Sequence, residues 1–421
     1  MTKQEPVRGF FFACTDKSEA ECLSGLVFGT EKFYGPVVIR IRKGDLIFLN
    51  NITTNKIFGI FQAITNGGIN LRLNAFNGKY PYQVEVKPVG DIIEKTEAEK
   101  LLYKHAIKRN RPLIGKYLIK FMEDFASIDE QLKLATVHEG DKSNKSILKQ
   151  IDILREGNMK IDIEEEIPLI ESTTFWDFPK QSYGLTPKGD NKYPGVTPAL
   201  IVYNLIWRYT QPGDLVVDPM CGSGTTIDVC KSEQRRVKGF DISPTRPDII
   251  QNDARNIPLE DNSVDMIFID SPYGDNVKYN THPDNIGNIS SESTEFYDEL
   301  EKVMVECKRI LRDGKVLGWL IGDQWVKKKF TPVGFKIYEE LTRHFEPVDI
   351  ICVSRRGQSS NTGVWHNRAR RFNFFLRGFK YLIIVKKSAK ISGSTKRGKI
   401  QWASYNRRRE DNKPNNSEVI I

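Results

Sequence analysis

The stretch GDLVVDPMCGSGTT, residues Gly213–Thr226, decides the fold of the second half of the chain. An apolar strand ends at Asp218, and a turn with Gly222 and Gly224 leads into a helix that begins near Thr225. Glycines let a ligand approach the backbone closely, and the start of a helix also suits a nucleotide phosphate. No Walker lysine follows the turn, which argues against a triphosphate. The stretch therefore predicts a ligand-binding strand, turn and helix.

Segments typical of strands and helices alternate outward from this stretch, between residues 195 and 387. A helix from about Thr294 to Leu311 places apolar side chains on one face. The alternation predicts an α/β, Rossmann-like fold whose mostly parallel sheet is covered on both sides. The last two strands leave little room for a helix between them, which favours antiparallel pairing. The predicted strands are Asp214–Asp218, Arg236–Asp241, Val264–Asp270, Val316–Ile321, Asp349–Ser354 and Lys380–Val385.

Acidic residues recur where the first strands end. Asp241 follows Asp218 by 23 residues and could accept both ribose hydroxyl protons, and Asp253 could accept from the amino group of an adenine ring. Doubly wound sheets bind ligands at this edge, so the three acids predict an adenosine pocket. The alternative is that they cap helices.

The segment DMIFIDSPYGD ends a further strand at Asp270, Ser271, Pro272 and Tyr273. The amino group of a base is a poor nucleophile because its lone pair is conjugated into the ring. Asp270 and the Ser271 carbonyl could accept hydrogen bonds from that amine, since Pro272 fixes the turn. Tyr273 offers a flat face for an extruded base. The alternative is a strand-ending proline beside a packed tyrosine.

With these motifs, residues 171–387 resemble the DNA amino-methyltransferases that act on adenine or cytosine. The resemblance implies a site-specific DNA methyltransferase in which a D/N/S-P-P-Y/F motif grips the target amine. It also implies that the glycine motif, with an upstream segment containing YPGVTPALIVYNLI, binds S-adenosylmethionine. The implied cofactor residues are Tyr193, Pro194, Thr197, Asp218, Pro219, Met220, Cys221, Gly222, Ser223, Gly224, Thr225, Asp241, Ile242, Asp253 and Ala254.

One position departs from the family pattern, because Ser271 stands where the family has proline. We expect this serine to loosen the turn. Aspartate in the first position resembles adenine-specific and guanine-N2-specific members, whereas serine there marks cytosine-specific ones. Adenine N6 is therefore favoured over cytosine N4.

The segment SRRGQSSNTGVWHNRARRFNFFLRGFK interleaves arginines with aromatic residues. Phosphate contacts beside aromatic stacking are expected of a nucleic-acid groove, although the arginines could also be ordinary surface residues. A base in a duplex must be flipped out to reach a catalytic pocket, or the DNA must already be single-stranded. The predicted nucleic-acid contacts are Arg355, Arg356, Trp365, Arg368, Arg370 and Arg371.

Short apolar runs separated by Gly, Asn and Pro predict a small β-rich barrel over residues 8–92. The runs are Gly9–Cys14, Val37–Ile41, Asp45–Leu49, Lys56–Ile64 and Gln83–Val86. Residues 8–88 resemble the DCD domain, a relative of PUA-like barrels, and nucleic acid or a protein would be its partner. The resemblance is carried by Phe28, Gly29, Gly59, Phe61, Ala75, Phe76, Tyr80 and Pro81.

The predicted division of the chain is a barrel at 1–92, a helical linker at 93–170, a catalytic domain at 171–387 and a flexible basic tail at 388–421. The net charge of +9 suits a polyanionic partner, and equally suits simple solubility. Six cysteines without CxxC spacing indicate neither zinc nor disulfides. With no long apolar run and no signal pattern, we expect a cytoplasmic protein without membrane or metal, of open oligomeric state.

Two alternatives remain at this stage. The tRNA guanine-N2 methyltransferases share the motif order and carry DPPYG, close to DSPYG here, which would make RNA the partner. A nucleic-acid reader that has lost activity is the second, and failure to bind S-adenosylmethionine would support it.

Overall fold

The computed structural model describes residues 8–126, 167–275, 277, 279–326, 329–356 and 363–388. Within these ranges the strands form a seven-stranded sheet, an eight-stranded sheet and a two-stranded hairpin. The first sheet belongs to the N-terminal unit and the second to the C-terminal unit.

The N-terminal unit is built on a sheet in the order β2-β6-β4-β3-β1-β7, with β5 paired to β6. Phe28 of β2 is fully buried in the core of this unit, with ring centroids 5.8 Å from Phe12 and 4.9 Å from Phe61. The strands are β1 (Arg8–Cys14), β2 (Val27–Thr30), β3 (Leu46–Asn51), β4 (Lys56–Ala63), β5 (Gly68–Ile69), β6 (Tyr82–Thr96) and β7 (Leu113–Ile114). The helices are α1 (Asp16–Gly25), α2 (Gly35–Ile39), α3 (Ala98–Lys104) and α4 (Lys116–Phe125).

Two expectations for this unit need correction. The apolar run Val37–Ile41 overlaps helix α2 and is not a strand, because Pro36 occupies the first helical turn, where its fixed φ fits. The predicted boundary at residue 92 falls inside β6. Helix α4 then packs Phe121 against Phe48 at 4.9 Å between ring centroids, since its apolar face needs cover. We therefore extend this N-terminal unit to residue 126 and call it the barrel unit after the prediction, although its strand order is open, with β2 and β7 at the two ends. Residues 127–166 lie outside the described residues.

The C-terminal unit has the sheet order β11-β10-β9-β12-β13-β17-β16-β8. Strands β11, β10, β9, β12 and β13 are adjacent in that order and run parallel. Strand β17 is antiparallel to both of its neighbours, β13 and β16. This confirms the predicted α/β fold and the antiparallel final pair. Its strands are β8 (Phe175–Trp176), β9 (Leu215–Asp218), β10 (Arg236–Asp241), β11 (Ile250–Gln251), β12 (Val264–Asp270), β13 (Leu311–Ile321), β16 (Glu346–Ser354) and β17 (Phe379–Lys386), with hairpin strands β14 (Gln324–Val326) and β15 (Lys329–Thr331).

Among the described residues, five α-helices accompany this sheet. Helix α7 buries the predicted stripe from Phe296 to Ile310, in the register that its 3.6-residue period requires. Helix α5 is apolar on nearly every side, because it is covered by the sheet and by the barrel. The helices are α5 (Ala199–Tyr209), α6 (Thr225–Ser232), α7 (Thr294–Ile310), α8 (Val333–His344) and α9 (Gly363–Arg371).

A buried carboxylate, Glu233, fastens the barrel to the sheet. It accepts hydrogen bonds from Arg40 of the barrel at 2.8 Å, from Tyr183 Oη at 2.8 Å and from Trp207 Nε1 at 3.0 Å. Tyr82 of the barrel packs on Trp207 with 6.1 Å between ring centroids. Three donors on one buried carboxylate satisfy its charge. We call Glu233 and its three donors the Glu233 joint.

Candidate active site

A single cavity opens at the carboxyl ends of β9, β10 and β12. Of the predicted cofactor residues, all but Gly224 line it, and so do Asp270, Pro272 and Tyr273 of the predicted catalytic motif. Ser271 does not line it. The roles of these residues remain predictions, but the structure brings both motifs into one space.

The glycine turn is shaped by close contacts. Gly222 has φ +47°, and a Cβ there would lie 2.9 Å from the ring of Tyr193, which also lines the cavity. Gly224 has φ +78°, and a Cβ there would meet the guanidinium of Arg246 at 2.5 Å. Gly224 therefore acts as the cap of helix α6 rather than as part of the cavity wall.

Asp218, at the end of β9, is buried beside this turn. Its Oδ2 accepts from the Thr226 hydroxyl at 2.5 Å, and its Oδ1 accepts from the Met220 backbone N–H at 3.1 Å. Burial raises the pKa of Asp218 to about 7, although the hydrogen bond from Thr226 opposes the rise. The carboxyl group therefore titrates near neutral pH in the free protein.

Asp241 joins the second strand to the glycine turn. Its two carboxylate oxygens accept from the backbone N–H groups of Gly222 and Ser243, each at 2.9 Å. Burial raises the pKa of Asp241, against the effect of these two hydrogen bonds. Each oxygen keeps a second lone pair, so Asp241 can still accept from a ribose hydroxyl.

Asp253 also lines the cavity, but its carboxylate is paired with Arg255 at 2.6 Å. Burial would raise the pKa of Asp253, and the hydrogen bonds from Arg255 outweigh it and lower the pKa. Arg255 in turn contacts Glu299 on α7. The predicted contact with an adenine amino group would therefore share the carboxylate with an arginine.

Asp270 ends β12 at the other side of the cavity. Thr197 Oγ1 donates to its Oδ2 at 2.7 Å, and Lys380 Nζ lies 2.8 Å from Oδ1 and 3.1 Å from Oδ2. Thr197, predicted as a cofactor residue, is thus bonded to the predicted catalytic motif. Lys380 was not predicted as a site residue.

Ser271, the second residue of this motif, is buried outside the cavity. Its Oγ accepts a hydrogen bond from Trp319 Nε1 of β13 at 2.9 Å. The expectation that serine loosens the turn stays a prediction, and the structure shows the serine hydroxyl engaged in a hydrogen bond. A hydroxyl can hold the indole N–H, which a proline ring cannot do, so the departure from the family pattern replaces ring stiffness by a hydrogen bond.

Two tyrosines, Tyr193 and Tyr279, line the cavity and pack against each other. Tyr279 packs on Tyr193 with 6.0 Å between ring centroids and 26° between ring planes. Burial raises the pKa of both hydroxyls, so they stay protonated at neutral pH. Tyr279 was missed because it follows the recognisable motif in a loop without periodic pattern.

The predicted nucleic-acid residues fall into three places. Arg355 lines the cavity and donates to Tyr273 Oη at 3.3 Å. Arg356 is paired with Asp177. The other four belong to helix α9 and are exposed: Trp365, Arg368, Arg370 and Arg371.

Comparison with known protein families bears on both units. Residues 264–419 match the DNA methylase family model of the N6/N4 type. Residues 8–126 match the model of the Development and cell death domain, or DCD domain. Both resemblances predicted from the sequence are thereby confirmed, and the DNA methylase match supports S-adenosylmethionine as the cofactor.

Individual relatives match shorter parts. A DCD domain-containing protein NRP of Arabidopsis thaliana is 34% identical over 79 residues, which cover 19% of this chain and 23% of that protein. The type II methyltransferase M.Cfr9I of Citrobacter freundii is 40% identical over 55 residues, 13% of this chain and 18% of the relative. The chain thus spans less than a quarter of either protein.

Among solved structures, TrmN from Thermus thermophilus is similar at a TM-score of 0.32 and 16% identity, over 46% of this chain and 50% of that one. In the part of the chain that the structure describes, no helix is long and apolar enough to cross a membrane.

Proposed function

We propose that this protein transfers a methyl group from S-adenosylmethionine to the exocyclic amino group of a DNA base, with adenine N6 favoured over cytosine N4. One observation carries the proposal: the glycine turn with its acids and the motif Asp270–Tyr273 line the same cavity. Cofactor and target amine can therefore meet inside it.

The residues at the first two strand ends fit the cofactor. Gly222 leaves room where a side chain would strike Tyr193, and Asp241 presents carboxylate oxygens for ribose hydroxyls. Asp218 supplies a buried carboxyl group beside the turn. S-adenosylmethionine supplies a sulfonium-bound methyl group for in-line attack by the amine.

The motif at the end of β12 would hold the target. Asp270 accepts an N–H of the amine, which favours the pyramidal nitrogen that attacks, and Tyr273 offers its ring for stacking. The protonated product amine releases its proton to solvent, so no strong base is needed. Catalysis then rests on positioning and on hydrogen-bond acceptors.

Arginines near the cavity support a nucleic-acid substrate. Arg355 lies at the cavity beside Tyr273, where it could hold the phosphate of an extruded nucleotide. The exposed arginines of α9 would add sequence-independent phosphate contacts. A base of duplex DNA would have to flip out to reach Asp270.

The test incubates the purified protein with tritiated S-adenosylmethionine and either DNA or tRNA, followed by digestion to nucleosides. We expect label in N6-methyldeoxyadenosine, or in N4-methyldeoxycytidine. Asp270→Ala should lower the rate by about 10²- to 10³-fold, because it removes an acceptor for the developing charge, while cofactor binding remains.

Asp261→Ala is the matched control, since Asp261 is an exposed aspartate paired with Arg309, before the start of β12, and should leave the rate unchanged. Label in N2-methylguanosine of tRNA would replace DNA by RNA as the substrate. Label in neither substrate, with no cofactor binding, would contradict the enzyme and leave a nucleic-acid reader.

A further inference from the structure

Lys380 is the second residue of β17. Its side chain lines the cavity and forms an ion pair with Asp270. Both side chains are largely buried, at 18% and 12% exposure, so the pair lies within the cavity wall and not on open surface. Tyr273 lies beside it, with its ring centroid 5.5 Å from the lysine Nζ. The ammonium therefore borders the space in which we place the target base.

Among the described residues, the carboxylate of Asp270 accepts three hydrogen-bond contacts from two side chains. A carboxylate offers about four lone-pair positions, two on each oxygen. Oδ2 receives both Thr197 Oγ1 and Lys380 Nζ, whereas Oδ1 receives Lys380 Nζ. The open position for an incoming N–H is therefore on Oδ1, the oxygen that lies 2.8 Å from the ammonium.

The cavity thus presents an acceptor and a donor side by side, Oδ1 of Asp270 and Nζ of Lys380. Their complement is an N–H donor next to an acceptor. Adenine has this arrangement on its Watson–Crick edge, where the 6-amino group adjoins N1, and cytosine has it where the 4-amino group adjoins N3. On the same edge of guanine, the 2-amino group adjoins N1–H, which is a second donor and faces the ammonium unfavourably.

We propose that Lys380 both positions Asp270 and donates a hydrogen bond to the ring nitrogen next to the target amine. This favours adenine or cytosine over a guanine that presents its Watson–Crick edge. The inference rests on the proposed function and names the substrate class that the site accepts. A lysine that only balances the charge of Asp270 would not sense the ring nitrogen.

The experiment replaces that one atom in the substrate. Duplex oligonucleotides carry the methylated site, once it is mapped, with the target base either natural or as 1-deazaadenine or 3-deazacytosine, in which C–H replaces the ring nitrogen. We expect the kcat/KM of the wild-type protein to fall roughly 10- to 100-fold on the analogue, as expected for a hydrogen bond from a charged group.

Lys380→Met should lower kcat/KM on the natural base and methylate the natural base and the analogue within about threefold of each other, because the donor is gone. Lys386→Met is the matched control. Lys386 lies on the same strand, paired with Glu346 and 43% exposed, so this variant should keep the wild-type discrimination.

A wild-type protein that methylates both substrates equally overturns the inference, whatever the variants do, and this comparison does not depend on a variant folding. Full discrimination by a Lys380→Met protein that binds S-adenosylmethionine overturns it as well, and leaves the proposed function intact. A wild-type protein that methylates no DNA overturns the proposed function first and the inference with it.

Discussion

Asp218 is held among neutral partners, the Thr226 hydroxyl and the Met220 amide, in the floor of the cavity. Burial disfavours its ionised form, and the nearby carboxylates of Asp241 and Asp270 act in the same direction. An aspartate in the unfolded chain titrates near about 3.9, whereas burial raises the folded-state pKa of Asp218 to about 7. The residue thus links the stability of the free protein to pH.

Between these two pKa values the folded protein binds more protons than the unfolded chain. The contribution of Asp218 to the free energy of unfolding should therefore be largest below about pH 4. It should fall as the pH rises to about 7, by up to about 1.4 kcal/mol per pH unit. Asp218→Asn should flatten this slope. Urea denaturation of the ligand-free protein at pH 5, 6, 7 and 8 measures it, and an unchanged slope in the variant contradicts the assignment; Asp261→Asn serves as control.

The residues of the site differ in how visible they are in the sequence. Asp218, Asp241 and Asp270 can be predicted because each ends an apolar run, and parallel strands bring those ends to one edge. Lys380 is 110 residues from Asp270. Its place follows only once β17 is known to be antiparallel, since an antiparallel strand begins where its parallel neighbours end.

At the scale of elements, the hydrogen bond from Trp319 to Ser271 joins β13 to the residue that follows β12 at the ligand edge, in addition to the backbone ladder between the two strands. Trp319 is fully buried, so its indole N–H has no access to water as a substitute partner. The bond therefore fixes the strand end that carries Asp270.

Ser271→Ala should lower the free energy of unfolding by about 1–3 kcal/mol, because the buried indole N–H loses its acceptor. Equilibrium denaturation in urea measures the change. Ser232→Ala, at an exposed hydroxyl on α6, should change it by less than about 0.5 kcal/mol. Equal effects of the two substitutions would show that the Trp319 contact contributes nothing.

The helices and strands that could be predicted from the sequence are those with a regular pattern of buried residues. The long strands and α7 were predictable because a whole face is apolar at a fixed period. The two-residue strand β8 and the hairpin of β14 and β15 were missed, since neither is long enough to show a period. Helix α2 was misread because the short run Val37–Ile41, with four apolar residues and Arg40, fits a buried helix as well as a strand.

At the scale of the whole molecule, the unit that matches the DCD domain model and the unit that contains the DNA methylase match, here the methylase region, share a packed boundary. The Glu233 joint places a carboxylate under the barrel, and helix α5 is covered by both units. Such a boundary predicts that the barrel supports the fold of the methylase region, in addition to any partner of its own.

Arg40→Met keeps an apolar stem but leaves the Glu233 carboxylate without its cation. The free energy of unfolding should fall by about 1.5–3 kcal/mol, because the buried carboxylate of Glu233 loses the partly buried guanidinium of Arg40. Arg343→Met, which breaks the ion pair with Glu340 on α8, should cost less than about 1 kcal/mol. Denaturation in urea compares the two; similar losses would mean that the joint behaves as a surface pair.

The same boundary has a consequence for the order of synthesis. A ribosome finishes the barrel at residue 126, but Trp207 and Glu233, which cover Tyr82 and Arg40, are made later. At about 5–20 residues per second, the barrel waits roughly 4 to 20 seconds for them. During that interval the ring of Tyr82 lacks Trp207 and the guanidinium of Arg40 lacks Glu233, so the nascent chain carries an uncovered aromatic side chain and an uncompensated cation.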